Sequence, residues 1–357
     1  MTLKDEKVTL ANLRTFVLEA MSRAGMKPEQ AETTADVLIA TDTYGTFTHG
    51  TKQIRPLMKN YRDRRLDLQA EPTVIKEGPG WAMVDAHSCM GMVSDTMAMG
   101  KAIEKARATG VGYANVVNAG HFGGAGYYAN LAMEQDMIGL AFGNADPVMA
   151  VPGGKTSVIG SNPIAYSVPA LKEKPIFMDI ATSIVAVSKI FAANALGKKI
   201  PDNWLLDKDG VPTTDPSGYP AQGAALPMAA HKGYGLALFV EIITAMATGG
   251  AFLSGVSSWF KEMDTPINQS HAFLAINVGA MIPIESFKAR VDELVRELKN
   301  SPKAKGSDRI YLPGEMEWER REKVLAEGCI TLPDHVVEKH IGVAEDYDMD
   351  TSELFAS

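Results

Sequence analysis

Three histidines stand beside glycine or small polar residues, where an imidazole can reach a ligand. They are His49 in Thr48-His49-Gly50, His121 among Gly120, Gly123, Gly124 and Gly126, and His231 in His231-Lys232-Gly233. Histidine changes protonation near neutrality, so each could give or take a proton. His49 falls in a break between helix-like runs; its plain alternative is a capping or surface side chain. The glycines around His121 cost backbone entropy, which suits a sharp turn or a backbone that a ligand approaches closely. His231 and Lys232 open an apolar helix, where cations bind an anion or are simply solvated. Asp179 ends a strand-like run and begins Asp-Ile-Ala-Thr-Ser (179–183). Ligands of open α/β sheets gather at such strand ends, and Thr182 or Ser183 could equally cap the next helix.

A second signal overlaps the first. Gly124-Ala-Gly126-Tyr-Tyr-Ala129 matches the relaxed dinucleotide pattern G-x-G-x-x-A, with Asp146 twenty residues beyond Gly126. The alternative is a tight strand-to-helix turn built from small residues. No metal site is expected: His335 and His340 are five apart, off the i,i+4 spacing of helical zinc ligands, and no cysteine pair assists. No G-x-S-x-G elbow presents a nucleophilic serine. The 19 methionines suit core filling.

The elements that must position these residues follow from periodicity. Thr9 caps a helix with Leu10, Leu13, Phe16, Val17, Ala20 and Met21 on one face, and Pro28 starts a second. A third spans about 53–64. Strands are expected at 73–76, 81–85, 111–117, 138–142, 164–168, 176–180 and 272–278, and helices at 92–108, 127–135, 185–196, 286–299 and 318–327. Gly110 closes the helix 92–108. Residues 199–222, with four prolines, read as a long polar loop, and 232–248 as a buried apolar helix. The alternation argues an α/β fold.

Composition narrows the function classes. At 357 residues two domains are expected, and 46% hydrophobic with 22% charged residues is ordinary globular usage. A net charge of −8 gives no electrostatic case for nucleic acid. Two cysteines, Cys89 and Cys329, suit a reducing compartment. The first ten residues carry no apolar signal core. The uncharged run between Glu241 and Lys261 is broken by Gly249, Gly250, Ser254 and Gly255, so no membrane span is expected. The reading is a soluble cytoplasmic protein.

Five segments in order carry a resemblance: 42–50 (DTYGTFTHG), 118–123 (NAGHFG), 160–163 (GSNP), 179–183 (DIATS) and 231–235 (HKGYG). Together they resemble the type-2 malate/L-lactate dehydrogenase family, which includes ureidoglycolate, sulfolactate, diketogulonate and cyclic-imine carboxylate oxidoreductases. The resemblance implies an NAD(P)-binding mixed-sheet domain over 76–299 that is not a Rossmann fold. It implies a helical second domain from 1–75 with 300–357, a homodimer, and NAD or NADP as cofactor, with the balance to NAD. The Gly124–Ala129 pattern is then a decoy. Cofactor contacts are implied at Asp179, Ile180, Ala181, Thr182, Ser183, His231, Lys232, Gly314, Glu315 and Met316.

The substrate carbonyl is implied near His49, His121, Ser161 and Asn162. His49 is taken as proton donor with His121 as its alternative, and Thr48 and Asn162 as orienting groups. Gln53 stands where the family often has an arginine suited to grip a carboxylate. Arg55 cannot replace it, being well over 100° around a helix. Ser161 replaces a threonine and Glu241 an aspartate. The implied activity is interconversion of a 2-hydroxy acid and a 2-oxo acid by hydride transfer. The alternatives are reduction of a cyclic imine carboxylate, and a non-catalytic nucleotide-binding paralogue.

Overall fold

Thr9 ends one element and starts the next: its hydroxyl accepts the Asn12 amide at 3.0 Å, capping the first helix. The computed structural model describes residues 4–258 and 265–355. Its strands are β1 (Glu6–Thr9), β2 (Thr73–Gly78), β3 (Trp81–Asp85), β4 (Val111–Ala119), β5 (Ile138–Gly143), β6 (Ile164–Val168), β7 (Ile176–Ile180), β8 (Leu205–Leu206), β9 (Pro212–Thr213), β10 (Ala224–Ala225), β11 (Gln269–Ile276) and β12 (Cys329–Leu332). Its helices are α1 (Leu10–Arg23), α2 (Pro28–Thr43), α3 (Ile54–Arg62), α4 (Gly91–Thr109), α5 (Ala125–Met133), α6 (Val187–Ala195), α7 (His231–Glu241), α8 (Ile284–Lys299), α9 (Glu315–Glu327) and α10 (Asp334–Tyr347).

The fold is mixed α/β. The main sheet runs β2-β3-β4-β11-β5-β6-β7. Only β3 and β4 pair in parallel; every other neighbouring pair is antiparallel. A Rossmann sheet is parallel throughout its nucleotide-binding half, so this order excludes one. α4 and α5 cover the sheet, with Ala98, Ala102 and Ala106 buried near Ala114 and Val116. Such small side chains let helix and sheet backbones approach closely.

The first and last segments of the chain meet. β1 pairs with β12, with Glu6 opposite Leu332, and α10 packs on α1 and α3. A second, smaller core gathers Met149, Ile159, Ile190, Leu205 and Tyr219 beneath the three-stranded sheet β10-β8-β9.

Three expectations change. Residues 199–222 are not wholly loop, since β8 and β9 lie there and Tyr219 is buried. β1, β12 and α10 lie outside the elements that periodicity predicts. The apolar helix is buried on one face only: α7 continues into a π-helical turn, Ile242–Met246, and leaves Leu236, Phe239, Ile242 and Met246 exposed. The far end of the uncharged run, from residue 259, lies outside the described residues. Among the described residues, no helix is long and apolar enough to cross a membrane.

Candidate active site

The loop between α2 and α3 presents Thr48 and His49. The Thr48 hydroxyl lies 2.9 Å from His49 Nδ1, and the Thr48 carbonyl accepts the Gln53 side-chain amide. Gln53 is thus turned back onto its own loop; its Oε1 is buried with no hydrogen-bond partner. Arg55 pairs with Asp346 of α10 at 3.1 Å, so it faces away from His49.

The glycine cluster brings His121 to the same place. The two imidazole rings are stacked at 5.7 Å between centroids and 26° between planes. Gly123 takes φ +76°, a conformation glycine reaches without strain, and its amide donates to His121 Nδ1 at 3.1 Å. Nδ1 therefore holds a lone pair, and the ring proton of neutral His121 sits on Nε2. Both rings are half-buried. Burial lowers the pKa of each; for His121, the neighbouring His49 and His271 add to the effect and take it down to about 3. A planar group between two ring faces needs roughly 7 Å, two contact distances of about 3.5 Å. The observed spacing is smaller, so a carbonyl must approach at the ring edges.

Gly126 answers the question of the dinucleotide pattern. Its amide, in the first turn of α5, donates to Asp179 Oδ2 at 2.8 Å. A carboxylate thus occupies the helix N-terminus where a Rossmann site would hold pyrophosphate. A Cβ at Gly126 would lie 2.4 Å from the Phe177 ring, so the glycine is there for packing against β7. Asp146 is taken up elsewhere, accepting the Ser258 hydroxyl at 2.7 Å. Asp179 itself is exposed along one edge yet crowded, and desolvation raises its pKa to about 6.

The remaining motifs join this cluster through the backbone. The Ser161 carbonyl accepts both the amide and the hydroxyl of Thr182, each at 2.8 Å, so the Gly-Ser-Asn-Pro turn is tied to the segment following Ile180 and Ala181. Ser183 bonds the Val185 carbonyl. Asn162 is fully buried. Its amide donates to Ala237 O and Glu241 Oε2, and its carbonyl accepts Ala145 N. Asn162 therefore knits the turn to α7. The Thr182 carbonyl accepts Met228 N, just before α7. There Ala229 and Ala230 both take positive φ, +46° and +53°, an uncommon strain for alanine, and set exposed His231 and Lys232 at the helix start.

Gly314, Glu315 and Met316 lie further along β7. The Pro313 carbonyl accepts Phe177 N, and Gly314 at φ +83° presses on Phe177. Glu315 is buried and paired with Lys299 and Arg309, while Met316 is exposed. Two pairings have no signal in the sequence. Glu241 is the buried partner of Asn162, and a fully buried His271–Asp95 pair at 2.7 Å stacks under Phe122, next to His121. Both contacts span more than 75 residues, and no local pattern announces them.

A family model described as malate/L-lactate dehydrogenase matches residues 8–339. The chain belongs to the malate/L-lactate dehydrogenase family. It is 36% identical over 310 residues to a malate dehydrogenase of Pyrococcus abyssi, covering 85% of this chain and 84% of that protein. It is 37% identical over 312 residues to the L-sulfolactate dehydrogenase of Methanocaldococcus jannaschii, covering 87% and 89%. The crystal structure of malate dehydrogenase from Entamoeba histolytica superposes with a TM-score of 0.91 at 30% identity, covering 97% of this chain and 99% of that one. In this malate/L-lactate dehydrogenase family member, Gln53 supplies no positive charge beside His49.

Proposed function

We propose that the protein interconverts a 2-hydroxy acid and a 2-oxo acid with a nicotinamide cofactor, His49 serving as proton donor and acceptor. The paired imidazoles of His49 and His121, each partly exposed, carry the reading. The residues present suit a dinucleotide: the α7 N-terminus with exposed His231 and Lys232 can take its phosphates, and Asp179 with the 180–183 backbone offers polar groups along it. When bound, the nicotinamide supplies or accepts the hydride. His49 gives a proton to the carbonyl oxygen in reduction and takes it back in oxidation. Its ring is held by the Thr48 hydroxyl. His121, pushed to about 3, stays neutral and offers Nε2–H to the same oxygen. Burial lowers the His49 pKa as well. Ser161 shapes the nearby wall through its carbonyl, and Asn162 holds that wall to α7.

NAD is placed ahead of NADP because Lys299 and Arg309, near the Gly314–Met316 segment, are engaged by Glu315, which leaves neither unpaired for an extra phosphate. The family resemblance implies a homodimer, and we assign the exposed face of Leu236, Phe239, Ile242 and Met246 to its second copy. Sedimentation as a monomer at micromolar concentration would overturn that dimer. Two unpaired cysteines, Cys89 buried and Cys329 half-buried, support a cytoplasmic setting.

The test follows NADH and NADPH oxidation by absorbance against a panel of 2-oxo acids and cyclic imines. Turnover on oxo acids is expected. Turnover on imines alone would move the reaction to C=N, and neither turnover nor cofactor binding would refute both. Single-turnover rates of His49→Ala and His121→Ala then assign the donor: an intact chemical step in His49→Ala refutes His49.

A further inference from the structure

Behind the loop that carries His49 lies a chain of three buried side chains absent from the mechanism above. Asp42 is in the last turn of α2, Thr51 follows Gly50 in a 3-10 turn, and His340 is on α10; all are at most 1% exposed. Asp42 Oδ2 accepts the Thr51 hydroxyl at 2.5 Å and the Thr51 amide at 3.1 Å. Thr51 Oγ1 also lies 3.0 Å from His340 Nε2. A hydroxyl has one proton, and here it points to the carboxylate. Toward His340 the oxygen is therefore the acceptor, and His340 Nε2 donates.

The carboxylate also meets the main chain directly. A Cβ at Gly50 would fall 1.9 Å from Asp42 Oδ1, so the residue after His49 is wedged against it. The loop leaves α2 at Asp42 and returns to it at Thr51. Within it, His49 N donates to Thr46 O and Gly45 N to Asp42 O. Asp42 thus closes the loop like a staple, and His340 fastens the staple to α10. Arg55 and Arg62 bind Asp346 of the same helix, so α10 holds the chain on the far side of the loop as well. His340 lies one residue past the segment that the family model matches.

We propose that Asp42, Thr51 and His340 are positioning residues for His49, so that the C-terminal helix sets the geometry of proton transfer without touching substrate. The inference rests on His49 being the proton donor. A displacement of about 1 Å at a reacting group can cost up to about a hundredfold in rate. Thr51→Val keeps the shape and removes the hydroxyl from the middle of the chain. It is expected to lower kcat about tenfold, with KM and cofactor affinity changed less than about twofold, when measured well below its melting temperature. Thr51→Ser restores the hydroxyl and is expected to recover most of kcat.

A purely structural role predicts a different pattern: a lower melting temperature with wild-type kcat in the folded Thr51→Val enzyme. That result, or a Thr51→Ser variant as slow as Thr51→Val, overturns the proposal. Should Thr51→Val not fold, His340→Phe cuts the chain at its outer end and keeps an aromatic ring against Phe16. It is expected to lower kcat about threefold, and unchanged kcat refutes the inference. His49→Ala, run in parallel, separates the two readings. If its chemical step is intact, the donor assignment fails and the staple falls with it. If its step is lost while Thr51→Val turns over normally, the staple alone is refuted.

Discussion

Replacing His340 by glutamine isolates one buried titration. Glutamine can keep a donor near the position of Nε2, so the bond to Thr51 Oγ1 is retained while the proton uptake is removed. Desolvation lowers the His340 pKa from 6.5 to about 4. The unfolded chain therefore binds this proton first as pH falls. Its folded pKa is depressed, so the stability it confers is complete above about 6.5 and is lost on the way down to about 4. At roughly 1.4 kcal/mol per unit, the loss between about pH 7 and about pH 4.5 is about 2.5 kcal/mol. His121 acts in the same direction, and Asp42, raised by burial to about 7, acts in the opposite one. Both remain in the variant and cancel in the comparison. Urea unfolding followed by circular dichroism, at a series of pH values across that window, gives the two stability curves. The variant is expected to gain on the wild type by about 2–3 kcal/mol as pH falls. Parallel curves would refute a neutral, buried His340.

Gly126→Ala should cost about 1–3 kcal/mol in denaturant unfolding, because its Cβ would strike Phe177. Lost cofactor affinity at unchanged stability would instead revive the phosphate-cradle reading. Asp95→Asn removes the carboxylate partner of buried His271, and about 1–3 kcal/mol of destabilisation is expected; an unchanged urea midpoint would contradict that. Gln53→Arg should lower KM for 2-oxo diacids about tenfold with little change in kcat, since it restores a cation beside His49. Steady-state kinetics decides it, and an unchanged KM places the carboxylate elsewhere.

Elements with local causes were legible in the sequence. Thr9 caps α1, Pro28 opens α2 and Gly110 closes α4 in the left-handed conformation, as their residue types demand. The five motifs identified the family before any geometry was available. What escaped depends on partners distant in the chain. β1 and β12 are four residues each and exist only because they pair with each other. The tie of Asn162 to α7 escaped because its partners, Ala237 and Glu241, lie 75 and 79 residues away. Gly124–Ala129 matched a nucleotide pattern because packing against Phe177 selects the same residue that a phosphate would. α7 read as buried because apolar composition does not distinguish a core face from one left open.

The bond between Thr51 and His340 spans 289 residues. On the ribosome, at about 5–20 residues per second, that separation lasts about 15–60 seconds. Throughout that interval the histidine loop has emerged and its anchor has not been made. The nascent chain must carry Asp42, Thr51 and the apolar faces of α1 and α2 without their final cover. The central sheet can assemble in this time, while the loop bearing His49 waits for the last helix. A newly made molecule would then gain activity late and in one step, and a chain cut just before α10 would carry every catalytic side chain, but with His49 on a loop that is never fastened.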